Sequence, residues 1–133
     1  PNTTLNNLSG DTIKTVLEDV ADNLFNPDPY YQQGGVMVRV GGMTYTCDPT
    51  APMGKRISDM RIGGQAIEAE KTYKVAGWAA VSEEARNAPG SKPVWEVLET
   101  YIKAQPGGRV KARVPNVPKL VSVGGNPGMA NNC

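Results

Sequence analysis

Apolar and polar positions change period several times along this chain, and each change marks an element. From Gly34 to Met60 the sequence reads GGVMVRVGGMTYTCDPTAPMGKRISDM. Val36, Val38 and Val40 alternate with Met37 and Arg39. After Gly41-Gly42, Met43, Tyr45 and Cys47 alternate with Thr44 and Thr46. Period-2 alternation of β-branched and aromatic residues predicts a half-buried strand, bent or bulged at the glycine pair. Asp48-Pro49 ends it, because proline cannot donate to a ladder. A Pro/Gly loop follows, and Lys55-Arg56 leads into a second strand over Ile57–Ile62. The period is helical between Ser9 and Phe25, where Ile13, Val16, Leu17, Val20 and Leu24 form one stripe. Ser9 or Asp11 is placed to cap this helix, and Asn26-Pro27-Asp28-Pro29 stops it.

Gly63-Gly64 predicts a tight turn. A short return strand from Gln65 to Ile67 follows, then a strand from Thr72 to Ala76. A second helix is predicted from Pro93 to Ala104, with Val94, Val97, Leu98, Tyr101 and Ile102 as its apolar face and Trp95 beside that face as core. Pro106-Gly107-Gly108 ends it. Beyond Arg109 no helical period remains. Val114, Val117, Leu120 and Val123 suit an extended tail packed along the domain, and the last eight residues lack any ordering signal. Tyr30 and Tyr31 suit packing over a sheet edge. The order is helix, strands, strand, helix, tail, with helices segregated from a mainly antiparallel sheet, which means α+β. Residues 1–105 form the domain and 106–133 the Pro/Gly-rich tail.

Composition narrows the chemistry. The 133 residues suit one domain, and 14 basic against 13 acidic residues leave a net charge of +1. That balance gives no reason to expect nucleic acid or an anionic membrane as partner, and no apolar run approaches a membrane span. The chain opens on proline with no signal peptide, as a processed or excised piece would. Histidine is absent, which removes the usual general base and the commonest transition-metal ligand. Cys47 and Cys133 are either two thiols or one disulfide. No glycine pair has a phosphate-loop spacing. Glu68/Glu70 and Glu83-Glu84 read as solvated carboxylates. Lys55-Arg56 reads as a charged strand start or an anion site. Arg39 points opposite to Val38 and Val40 and needs an ion or a partner only if that face is covered. Trp78 follows a strand end and is placed to line a site. Spacing alone yields no catalytic machinery.

The ordered motifs carry more. Leu8-Ser9-Gly10, Val40-Gly41-Gly42-Met43, Tyr45 with Asp48, Pro52-Met53-Gly54-Lys55-Arg56 and Lys71-Thr72-Tyr73-Lys74-Val75-Ala76 follow one another. Their order resembles the C-terminal domain of the 5'-nucleotidase family, from about Asn2 to Lys103 and lacking its first strands. Each piece is weak alone, and order and spacing together are specific. Nucleotidases follow the last strand with a Gly-Gly-Asp-Gly-aromatic loop that stacks on the base. Here the text is GWAAVSEEARNAPG, without that loop.

Within the family the wording is most similar to the SoxB branch, the periplasmic thiosulfohydrolases of sulfur oxidation. The resemblance implies two metal ions, usually manganese, held by an N-terminal metallophosphoesterase-like domain. It implies a SoxYZ carrier protein as partner, from whose cysteine S-thiosulfonate sulfate is released, a periplasmic location, and no tight metal binding by this chain alone. It assigns substrate-cleft positions to Asn2, Thr3 and Trp78, with Arg39 and Arg56 as further candidates for the anion. Two alternatives stand beside it. One is the substrate-binding domain of a true 5'-nucleotidase. The other is a non-catalytic secreted interaction module using Tyr30, Tyr31 and Trp78.

Overall fold

A computed structural model describes residues 2–77, 88–114 and 116–124. The architecture is α+β, with two helices and two sheets. The chain divides into two compact units. One comprises Ser9–Lys71 and the stretch from Pro115 onward. The other comprises the chain up to Leu8 together with Thr72–Val114.

The first unit holds the core. Helix α1 (Gly10–Phe25) begins where Ser9 turns extended and its hydroxyl accepts from the Thr12 amide at 3.1 Å. Its buried Leu17 and Ala21 face strand β2 (Met43–Cys47) and strand β3 (Ile57–Ile62). Met43, Tyr45, Cys47 and Ile57 complete that core. The alternation read from the sequence holds in β2, where Met43, Tyr45 and Cys47 are buried and Thr44 is exposed. Strands β2 and β3 pair antiparallel, with Met43 opposite Ile62 and Cys47 opposite Ile57. The register slips between Thr44 and Thr46, so β3 carries one extra residue. Asp59 lies within that bulge at φ 49°, a left-handed conformation that Asp tolerates better than most residues.

Gly63 and Gly64, at φ 58° and 82°, turn β3 into β4 (Gln65–Ala66), as a tight hairpin requires. A short strand from the tail, β6 (Lys119–Leu120), lies parallel to β2 at the other edge, giving the order β4-β3-β2-β6. Asn116 secures the approach to that strand. Its side-chain amide donates to the Val40 carbonyl at 2.8 Å and the Met43 carbonyl at 2.6 Å.

The second unit pairs β1 (Thr4–Ser9, whose last residue opens into α1) with β5 (Thr72–Gly77). It also carries helix α2 (Val94–Lys103).

Four sequence expectations change. Residues 36–40 form no strand. Val36 is 75% exposed and Val38 is exposed as well, whereas Val40 and Met37, which the expected alternation puts on opposite faces, both pack against the core. Positive φ at Gly34, Gly35 and Gly42 brackets the segment. Trp95 is 65% exposed rather than core, because no residue of α2 is buried. Tyr30 and Tyr31 do not cover a sheet edge; they are exposed and contact each other edge to face. The tail packs only in part, since Val114 and Val117 are exposed while Leu120 joins the core. The final eight residues and Cys133 lie outside the described residues, and so do Trp78 and Glu83-Glu84. Cys47 is a buried free thiol.

Candidate functional site

Asn2 and Thr3 are built into the second unit by backbone pairing. Asn2 makes an antiparallel bridge to Pro93. The Thr3 amide donates to the Lys92 carbonyl at 2.7 Å, and its hydroxyl donates to the same carbonyl at 3.0 Å. The Lys92 amide donates back to the Thr3 hydroxyl at 3.2 Å, and the Ser91 hydroxyl donates to the Thr3 carbonyl. Next along the chain, the Thr4 hydroxyl donates to the Gly77 carbonyl at 3.2 Å. Thr3 and Thr4 therefore hold both ends of the connection between β5 and α2. Trp78 is the first residue of that connection and lies outside the described residues. Around this strap stand exposed Asn2, half-buried Thr3 and exposed Lys92, whose ammonium pairs with Glu96 at 3.0 Å. The Asn2 amide and the Lys92 ammonium are donor types that suit an anionic substrate, whereas the Thr3 hydroxyl already gives its proton to the Lys92 carbonyl.

Arg39 and Arg56 belong to the other unit. Arg39 is exposed on the irregular segment before β2. Arg56 corrects the sequence reading: neither an open charged strand start nor an anion ligand, it is only 2% exposed. Its guanidinium pairs with Asp22 at 2.6 Å and donates to the Phe25 carbonyl at 3.2 Å. Beside it Glu18, also buried, accepts from three backbone amides: Gly54 at 2.8 Å, Arg56 at 3.3 Å and Ile57 at 2.8 Å. A buried carboxylate is tolerated only when so satisfied. The Pro52–Arg56 motif is thus a bracket that fastens the β2–β3 loop to α1. Gly54, at φ 87°, supplies the turn that aims its amide at Glu18.

The electrostatics follow from these contacts. The Arg56 guanidinium, with help from Asn26, holds the Asp22 carboxyl below the usual carboxylate range. The hydroxyls of Thr50 and Ser122 do the same for Asp48, which ties the tail to the end of β2. Burial, reinforced by Cys47, pushes the Tyr45 phenol up to about 12. Burial also raises the Cys47 thiol, with the Glu18 charge second. Tyr45 Oη and Arg56 Nε are buried without hydrogen-bond partners among the described residues.

Sequence reasoning missed Glu18 and Asp22. The available signal was their spacing: two carboxylates four residues apart beside the apolar stripe repel unless cations or amides lie between them. The residues present do not fit a metal pair. The chain has no histidine, and no group of three His, Cys, Asp or Glu is gathered among the described residues. No described helix is long and apolar enough to cross a membrane.

The model of the 5'-nucleotidase C-terminal domain matches residues 1–90. Among solved structures, the sulfate thiohydrolase SoxB of Thermus thermophilus, in complex with glycerol, is 38% identical. The match covers 92% of this chain and 23% of that one, with a TM-score of 0.78. A Staphylococcus aureus protein carrying a provisional 5'-nucleotidase name, solved with α-ketoglutarate, is 26% identical. That match covers 57% of this chain and 17% of the other, at a TM-score of 0.45. Among curated proteins no match is found. This chain spans less than a quarter of the SoxB chain that it resembles. By matched sequence and by fold, the chain belongs to the 5'-nucleotidase family, as a C-terminal domain of SoxB type.

Proposed function

We propose that this chain is the C-terminal part of a SoxB-like thiosulfohydrolase and walls its substrate cleft. The observation that carries the reading is the likeness to SoxB, 38% identical over 92% of the chain. The substrate is a cysteine S-thiosulfonate on the SoxYZ carrier. Water adds to the outer, sulfonate sulfur, the bond between the two outer sulfurs breaks, and sulfate leaves with release of two protons. The carrier cysteine retains a persulfide. The hydrolytic centre, with its two manganese ions, belongs to the N-terminal metallophosphoesterase-like portion; this chain has no histidine, and no group of metal-ligating side chains is gathered among its described residues. Periplasmic location follows from the same reading.

Within the cleft, Asn2, Thr3 and Trp78, all from the second unit, are the substrate-binding residues of this part. The strap from Thr3 and Thr4 to Gly77 and Lys92 supports this role. It holds Gly77, the last residue of β5, and Lys92, just before α2, to the same short strand that carries Thr3. Arg56 serves as scaffold.

The experiment is a substrate comparison on the longer polypeptide that includes the N-terminal portion. Manganese-loaded enzyme is given thiosulfonate-charged carrier or a nucleoside monophosphate. Release of sulfate, with nucleotide untouched, is the expected outcome. Phosphate release without sulfate release would replace this reading with a nucleotidase.

A further inference from the structure

Among the described residues, nothing buries one apolar face of helix α2. Trp95, Leu98 and Ile102 recur at three- and four-residue spacing, with Val97 and Tyr101 alongside. Their exposures are 65%, 54%, 42%, 40% and 43%. Two i,i+4 ion pairs, Lys92 with Glu96 and Lys103 with Glu99, mark the polar side. The helix is thus amphipathic, yet none of its residues is buried. An amphipathic helix draws most of its stability from burying its apolar face. Soluble monomers rarely leave so many large apolar side chains contiguous and exposed.

We infer that the apolar face of α2 is an interdomain surface, covered by the N-terminal portion of the longer polypeptide. The inference rests on the SoxB-like reading only in taking that portion as the occupant. The length of the relative supports this choice over a separate partner: the chain corresponds to 23% of SoxB, so most of such a protein lies outside it. The helix lies outside the family match too, which ends at residue 90. A surface of this kind suits contacts within one chain, which typically bury about 600–1,500 Å².

The test uses the longer polypeptide, by hydroxyl-radical footprinting and amine cross-linking. Oxidation of Trp95 and Tyr101 is compared with the same sequence as a free peptide. The expected result is at least about tenfold protection, because a covered anchor is shielded from water. Cross-links from Lys92 and Lys103, which flank the helix, are expected to reach the N-terminal portion. Leu98→Glu should return Tyr101 to near the peptide's rate. Protection no greater than about threefold would overturn the inference, since partial exposure alone gives that much. Protection with cross-links only to residues within these 133 would overturn it as well. Sulfate release is assayed on the same preparation. A covered helix without hydrolysis keeps the interface and removes the proposed activity; hydrolysis with an exposed helix does the reverse.

Discussion

Glu18 shows how much a single side chain can hold. Its carboxylate is the acceptor for three amides that close the β2–β3 loop. Glu18→Ala leaves those donors buried and unmet and should cost about 3 kcal/mol or more, whereas Glu18→Gln keeps one acceptor oxygen and should cost less. Urea unfolding of the two variants checks the order. Tyr45 makes the opposite case, because its hydroxyl is buried without a partner among the described residues. Tyr45→Phe should be neutral or stabilising by up to about 1 kcal/mol. Its pH dependence has a definite sign. Burial pushes the phenol up to about 12 in the folded chain, above the ordinary phenol range. Its stabilisation is therefore fully present below pH 10 and is lost as pH rises toward 12, where the unfolded chain has already released the proton. The fall in urea midpoint between neutral and strongly alkaline pH should be smaller in Tyr45→Phe than in the parent chain.

At the scale of elements, the start of α1 depends on close approach. The Gly10 amide donates to the Lys71 carbonyl at 3.1 Å, and the Asp11 amide donates to the Ala69 carbonyl at 3.0 Å. A Cβ on Gly10 would collide with the Glu68 carbonyl oxygen and the Ile67 side chain. Gly10→Ala favours helix by intrinsic propensity, but the backbone atom it meets cannot rotate away. The net effect should be destabilising by about 1–3 kcal/mol. Thermal melting checks the sign; an unchanged or higher midpoint would show that the helix start can shift without loss. The motif Leu8-Ser9-Gly10 is therefore a packing requirement: a hydroxyl to cap the helix and a hydrogen where a methyl cannot fit.

At the scale of the whole molecule, part of the fingerprint holds the fold while the proposed cleft residues have another task. Gly10, Gly54 and Arg56 hold the first unit together, while Thr3 and the residue before Trp78 belong to the second. In the longer enzyme, Trp78→Ala should lower kcat/KM for charged carrier by about tenfold, the scale of one lost positioning contact, with the melting temperature unchanged. Arg56→Ala should instead lower the melting temperature, because it leaves Asp22 unpaired. Steady-state kinetics and melting on the same two variants separate the roles. A Trp78 variant with full activity would remove that residue from the cleft.

The sequence by itself determined the elements whose pattern is local. Helix α1 with its Ser9 cap, the alternation of Met43, Tyr45 and Cys47, the Gly63-Gly64 turn and helix α2 were all legible, because each depends on nearest neighbours along the chain. It also carried the family, through motifs whose order survives. Tertiary structure decided the rest. Strand β1 was unreadable because its most buried residues are the polar Thr4 and Asn6, an inversion that only hydrogen bonding can sustain. Residues 36–40 have a strand's alternation but form none, since a ladder needs a partner that the sequence pattern cannot supply. Trp95 sits beside an apolar stripe, yet burial depends on what covers a helix, and nothing in the local pattern encodes the cover. Arg56 reads as a surface cation, and only the arrival of Glu18 and Asp22, more than thirty residues earlier in the chain, made it a buried one.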